Sequence, residues 1–163
     1  GGLLLLGLIG VLLVARVRRG DVSLLGKSAW ILAAVPYGIV VGFLSATPQS
    51  PTPLGPLLGM TVFQVLAEQV FFIAFLFFGL KKFMSNPGGA TLVTAIIFGV
   101  YHVTYFAVLN SPPDVMVQDV MRIGAFAGGA YAALAWQSGG LLAPFVAHLA
   151  VNVTTMVRMA WSG

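Results

Sequence analysis

A chain of 163 residues with 59% hydrophobic and only 7% charged residues does not describe a water-soluble domain, which carries roughly 45–50% and about 25%. Eight Lys and Arg against four Asp and Glu, with a mean hydropathy of +1.00, leave too little charge to cover a water-exposed surface and enough apolar length for several membrane spans. The net charge of +4 is not a nucleic-acid signal, because most basic residues fall between apolar runs. No nucleic-acid partner is expected, and the absence of cysteine excludes disulfides, thiolate catalysis and thiolate metal sites.

Apolar windows of about 17 to 25 residues cross roughly 30 Å of hydrocarbon as helix. In chain order they fall at about residues 1–14, 28–46, 57–80, 88–110, 117–136 and 141–161. The expected fold is all-α: one membrane-embedded domain over residues 1–163, a bundle of about six transmembrane helices. The first helix opens at Gly1 inside an apolar run with no initiator Met, which points to an N-terminally truncated chain. No small-residue cleavage site precedes Arg16 to favour a signal peptide. Pro48, Pro51, Pro53 and Pro56 are expected to keep the next loop from continuing as helix. Asn86 and Pro87 supply an N-cap and first helical residue for the fourth span, and Ser111 with Pro112 and Asp114 the same for the fifth. Two rows of small residues follow, Gly124, Gly128, Ala132 and Ala125, Gly129, Ala133, which mark the fifth span as a close-packing helix.

Orientation follows the positive-inside rule. Arg16, Arg18, Arg19 and Lys27 share a side with Lys81 and Lys82, whereas loop 47–56 has no Lys or Arg and the loop near Asp114 is acidic. Loops 15–27 and 81–87 are therefore expected in the cytoplasm, and a multi-pass position in a prokaryotic cytoplasmic membrane is the expected location.

Every Glu and His lies within a span: Glu68, His102 and His148, joined by Arg122 with Asp119 three residues before it. An ionisable group near the bilayer centre costs roughly 2.5–3.5 kcal/mol on insertion scales, so it faces the bundle interior and marks a function. Glu68, His102, His148 and Asn152 fall at similar depth on three spans. His148 and Asn152 are four apart on one helical face, as are Phe98 and His102. A carboxylate beside an imidazole can take a proton from water, and an imidazole with an amide N–H can stabilise an oxyanion. The plainer readings are interhelical polar clasps for these four, a local pair with Asp119 for Arg122, and helix–helix hydrogen bonds for Gln64 and Gln69. The phenylalanines at 71, 72, 75, 77 and 78 read as lipid- or core-facing bulk.

The stretches Glu68-Gln69-Val70-Phe71-Phe72-Ile73-Ala74, Phe98-Gly99-Val100-Tyr101-His102 and Gly140-Leu141-Leu142-Ala143-Pro144-Phe145-Val146-Ala147-His148-Leu149-Ala150-Val151-Asn152 resemble the CPBP family, also called Abi or CAAX-protease-like intramembrane proteases. Its motifs are EExxxR, FxxxH and HxxxN in this order, and the resemblance covers about residues 57–155. It implies that Glu68 and His102 activate water and that His148 and Asn152 hold the oxyanion. Gln69, Phe98, Tyr101 and Arg122 take supporting or substrate-side positions. Two positions depart from the pattern: Gln69 stands where the family has its second Glu, and Ile73 where it has Arg. Losing both together is coherent, because a lone buried charge is worse than no pair at all. A further idea is that Arg122 substitutes in space for that arginine, although it lies roughly 10 Å nearer the outer surface at 1.5 Å per residue.

The function implied is hydrolysis of a membrane-associated peptide or protein segment, with the bilayer and that substrate as partners and no cofactor required. Three alternatives differ in class. One is a zinc peptidase with Glu68, His102 and His148 as ligands. Another is a non-catalytic relative that binds a peptide or serves in immunity, to which Gln69 and Ile73 point. The third is a proton-coupled transporter, which the lack of paired broken spans disfavours.

Overall fold

A computed structural model describes residues 23–45, 54–108 and 110–161. The expected first span, and most of the proline-rich loop, lie outside the described residues. A 3-10 turn, Ser28–Trp30, leads into α1, Ile31–Ser45. Helix α2, Leu54–Glu68, passes without a break into a π-helical segment, Gln69–Phe77, and then α3, Phe78–Phe83. After a short turn come α4, Pro87–Tyr101, and α5, Val103–Val108. Helix α6, Pro113–Arg122, continues through a second π-helical segment, Ile123–Gly129, into α7, Ala130–Ser138, and α8 is Leu142–Trp161. Among the described residues there is no strand, only an isolated bridge between Ser23 and Gly140, so the all-helical expectation holds. By length and composition, two helices are able to cross a membrane: Thr61–Phe83, of 23 residues, and Pro87–Ala107, of 21.

Several boundaries differ from the sequence reading. Pro56 does not sit in the loop but in the first turn of α2, where a proline removes no intrahelical bond. Asn86 caps α4 as expected, its side chain accepting from the Gly88 N–H at 2.8 Å, with Pro87 in the first turn. The fifth helix begins at Pro113 rather than about 117, and Pro112, not Ser111, holds its cap position without a side-chain bond. The fourth span is not continuous. At His102 the backbone N–H turns to the Gly99 carbonyl (3.0 Å), and His102 Nδ1 lies 2.8 Å from the Phe98 carbonyl that this N–H would otherwise take. Side chain and backbone compete for one acceptor, and the helix tightens there before resuming as α5.

Packing buries a set of alanines together with an aromatic core of Phe72, Phe77, Phe98 and Tyr131, and leaves many large apolar side chains on the outside. Ala34, Ala90, Ala132, Ala135, Ala143 and Ala147 are buried, whereas Leu32, Leu44, Phe63 and Phe83 are exposed. That is the arrangement suited to lipid, where apolar bulk has no reason to leave the solvent and close backbone approach drives association. Helices α1 and α8 run parallel in the most intimate contact. A Cβ on Gly38 would stand 2.5 Å from the Ala147 carbonyl oxygen, and one on Gly42 would stand 2.5 Å from that of Val151. The row Gly124, Gly128, Ala132 does the same for α4: a Cβ at Gly128 would meet Phe98 Cβ at 2.7 Å. The parallel row is less buried, with Ala125 exposed. The start of α8 is capped by chain rather than by a side chain, since Leu141 and Leu142 N–H donate to the Ser23 and Leu24 carbonyls at 3.1 and 3.0 Å. Gly26, in the left-handed region at φ 62°, allows this approach to Gly140.

Candidate active site

Glu68 is the last residue of α2, at the point where the helix widens to i→i+5 bonding. Such segments recur at functional sites because they redirect side chains without ending the helix. Here the π-helical turns bury Gln69, Val70, Phe72, Ile73, Ala74 and Phe77 on one broad face, and Glu68 and Gln69 lead into it. Opposite them runs α8, antiparallel: Thr61 on α2 reaches Met156 Sδ (3.8 Å) and Gln69 reaches the Pro144 carbonyl. This register brings His148 level with Glu68.

Glu68 Oε1 accepts from Gln64 Nε2 at 2.9 Å, whereas Oε2 is buried without a hydrogen-bond partner. It faces His148 Nε2 at 3.6 Å, and both residues are 4% exposed. Gln69 Nε2 lies 3.3 Å from the Pro144 carbonyl oxygen and 3.1 Å from His148 Nδ1. The imidazole is held flat by Tyr131, stacked at 4.6 Å and 22°, and edge-on by Phe98 at 6.0 Å and 72°. Phe98 in turn packs edge to face on Phe72 at 4.8 Å, so the site rests on the aromatic core.

His102 is half-buried at the break between α4 and α5. With a carbonyl as partner its Nδ1 must carry the hydrogen, which leaves Nε2 as a proton acceptor. It packs against Phe98, whose ring centroid is 4.8 Å from its own and which also borders His148. Tyr101 packs edge-on to His102 at 5.2 Å and is half exposed. Asn152 lies one turn beyond His148 on α8 and is half-buried. Arg122 is committed to Asp119 at 2.7 Å.

Four of the expected residues, Glu68, Gln69, Phe98 and His148, thus meet in one buried cluster, with His102 beside it. Gln64 differs from its expected role, because it bonds within its own helix rather than between helices. Gln69 does bond across helices. Ile73 is 1% exposed in the apolar core, with no room for a charge that lacks a partner. Tyr131, the flat support of His148, was not anticipated; its only signal is a large aromatic set among small residues. Among the described residues no three His, Asp or Glu side chains are grouped to hold a metal ion.

The arrangement is a buried carboxyl group with one oxygen not hydrogen-bonded among the described residues, a neighbouring imidazole anchored through Nδ1, and a second imidazole held in fixed orientation. Comparison with curated proteins and with solved structures finds no match. A family model described as type II CAAX prenyl endopeptidase Rce1-like matches residues 49–154, a span from before α2 to past Asn152. That stretch covers well over half of the chain and holds every residue of the cluster: the chain belongs to the Rce1-like family of type II CAAX prenyl endopeptidases, within the CAAX-protease-like intramembrane proteases.

Proposed function

We propose that the chain is an intramembrane endopeptidase that hydrolyses a membrane-associated peptide with water activated by Glu68 and His102. The single observation that carries this is Glu68 Oε2, buried 3.6 Å from His148 Nε2 and, among the described residues, without a hydrogen bond. A buried carboxylate oxygen that no donor reaches within hydrogen-bond distance is costly in a merely structural role, and is what a general base needs. In the proposed step Glu68, assisted by His102 Nε2, takes a proton from water as the oxygen attacks the scissile carbonyl carbon. His148 and Asn152 donate to the developing oxyanion. Collapse breaks the C–N bond, and the proton held on Glu68 passes to the leaving amine.

Six spans crossing in serpentine order, with residues 15–27 and 81–87 cytoplasmic, complete the reading. Its support is the alternation of the described helices: α2 runs against α8, α1 runs with α8, and α6–α7 run against α4. A multi-pass place in a prokaryotic cytoplasmic membrane goes with it. The reaction as written needs no metal. The substrate class is a peptide segment presented at or within the bilayer, such as a lipidated C-terminus.

The test is mass-spectrometric mapping of membrane-peptide termini in cells expressing the parent chain or Glu68→Ala at equal membrane insertion. New termini with the parent that vanish with Glu68→Ala are expected, and their sequences define the specificity. Identical termini from both would remove the reading. A second reading, a relative that binds peptide without cleaving it, is favoured by Gln69 and Ile73, and identical termini would support it.

A further inference from the structure

We propose that Gln69 is a positioning residue that fixes the tautomer of His148, holding its Nδ1 as an acceptor and its Nε2 as an N–H donor toward Glu68 and the reacting atoms. The inference rests on the peptidase reading for its consequence, but the geometry behind it does not. A side-chain amide has one end that donates and one that accepts, and the two are distinguished by their partners. The Pro144 carbonyl oxygen can only accept, so the end of Gln69 lying 3.3 Å from it is the NH2 group. The same NH2 lies 3.1 Å from His148 Nδ1. Facing a donor, Nδ1 cannot itself carry a hydrogen, and the neutral imidazole must hold its proton on Nε2. That nitrogen points at Glu68 Oε2, 3.6 Å away. Rotation of the ring, which would exchange the nitrogens, is opposed by Tyr131 stacked on one face and Phe98 against an edge.

His148 and His102 are therefore set in opposite senses by different devices. A backbone carbonyl makes His102 an acceptor at Nε2, and a glutamine amide makes His148 a donor at Nε2. In their neutral forms the two imidazoles thus give one site a proton acceptor and a hydrogen-bond donor. A glutamate at position 69 would accept where the glutamine donates, and would favour a proton on His148 Nδ1. Gln69 accordingly gives this contact the hydrogen-bond sense opposite to the one a glutamate of the same shape would give.

The chain has only two histidines, so selective 15N-histidine labelling of the full chain in nanodiscs gives two ring systems, and His102→Gln assigns them. Two-bond 1H–15N spectra report which nitrogen carries the proton. The expected result for the parent is His148 with Nε2 protonated and Nδ1 in the unprotonated range; a protonated Nδ1 overturns the proposal. In Gln69→Met, which keeps bulk but has no donor, the single-tautomer pattern is expected to give way to an exchange-averaged one. Persistence of the parent pattern in folded Gln69→Met would mean that another group fixes the tautomer, and would also overturn it. Cleavage assayed on the same samples separates the two readings. The expected tautomer without cleavage retains the role of Gln69 and removes the peptidase, while cleavage with a protonated Nδ1 does the reverse.

Discussion

A glutamine at position 69 and an isoleucine at position 73 form one unit with the cluster they border. Gln69 is 3% exposed and its amide hydrogens are used by Pro144 and His148, while Ile73 fills apolar core. Replacing Gln69 alone by Glu would bury an anion with no cation nearby on its own helix. Gln69→Glu is expected to destabilise by up to about 3–5 kcal/mol, the scale of an uncompensated buried charge. Ile73→Arg added to it should recover part of that loss. Denaturant unfolding in micelles of the two single variants and the double variant checks this, and additivity within about 0.3–0.5 kcal/mol would show the positions to be independent. At the same scale the motif residues were legible in the sequence, because an ionisable group has few reasons to be in an apolar helix. The partners that aim them were not. Tyr131 and Gln64 act through ring stacking and a carboxylate bond that exist only once helices are packed and turns are set.

Among the elements, the periodicity of apolar residues and the Asn86-Pro87 cap gave helix positions to within a few residues. Two features escaped that reading for a physical reason. The break at His102 comes from a side chain taking a backbone acceptor, and the π-helical segment Gln69–Phe77 buries six of its nine residues, a face wider than an α-helix presents. Neither leaves a trace in hydrophobic periodicity. The close contact of α1 with α8 hangs on Gly38 and Gly42, which are four apart and have no space for a Cβ. Gly42→Ala is expected to cost about 1–3 kcal/mol through overpacking, and to lower activity by displacing the helix that carries His148. Gly59→Ala, on α2 with nothing within 4 Å of the added Cβ, should instead stabilise by roughly 0.5–1 kcal/mol, since glycine is the weaker helix former. Thermal unfolding of both variants makes the comparison, and equal effects would show that close approach is not what glycine serves at Gly42. Gly128→Ala tests the same logic at the site: its Cβ presses on Phe98, and a loss of activity with folding retained is expected.

For the whole molecule, the composition alone excluded a soluble domain, and the many large apolar side chains left exposed agree with it. The proposed topology follows from charge, with Lys81 and Lys82 at the end of α3 on the cytoplasmic side and the acidic start of α6 at Asp114 opposite. Because the chain lacks cysteine, single cysteines at Ser85 and at Ser111 can be read without background. A membrane-impermeant thiol reagent added from outside is expected to label Ser111→Cys and spare Ser85→Cys. The opposite pattern would invert the bundle.

The central claim is that Glu68 drives water onto a peptide carbonyl. It is tested most directly by the cleavage rate of the purified chain, reconstituted in liposomes with a peptide identified from its own products, alongside Glu68→Gln and with chelator present. Chelator is expected to leave the parent rate unchanged, and Glu68→Gln, which keeps the shape but not the base, is expected to lose roughly 10²–10⁴-fold. A Glu68→Gln protein that cleaves at the parent rate would contradict it.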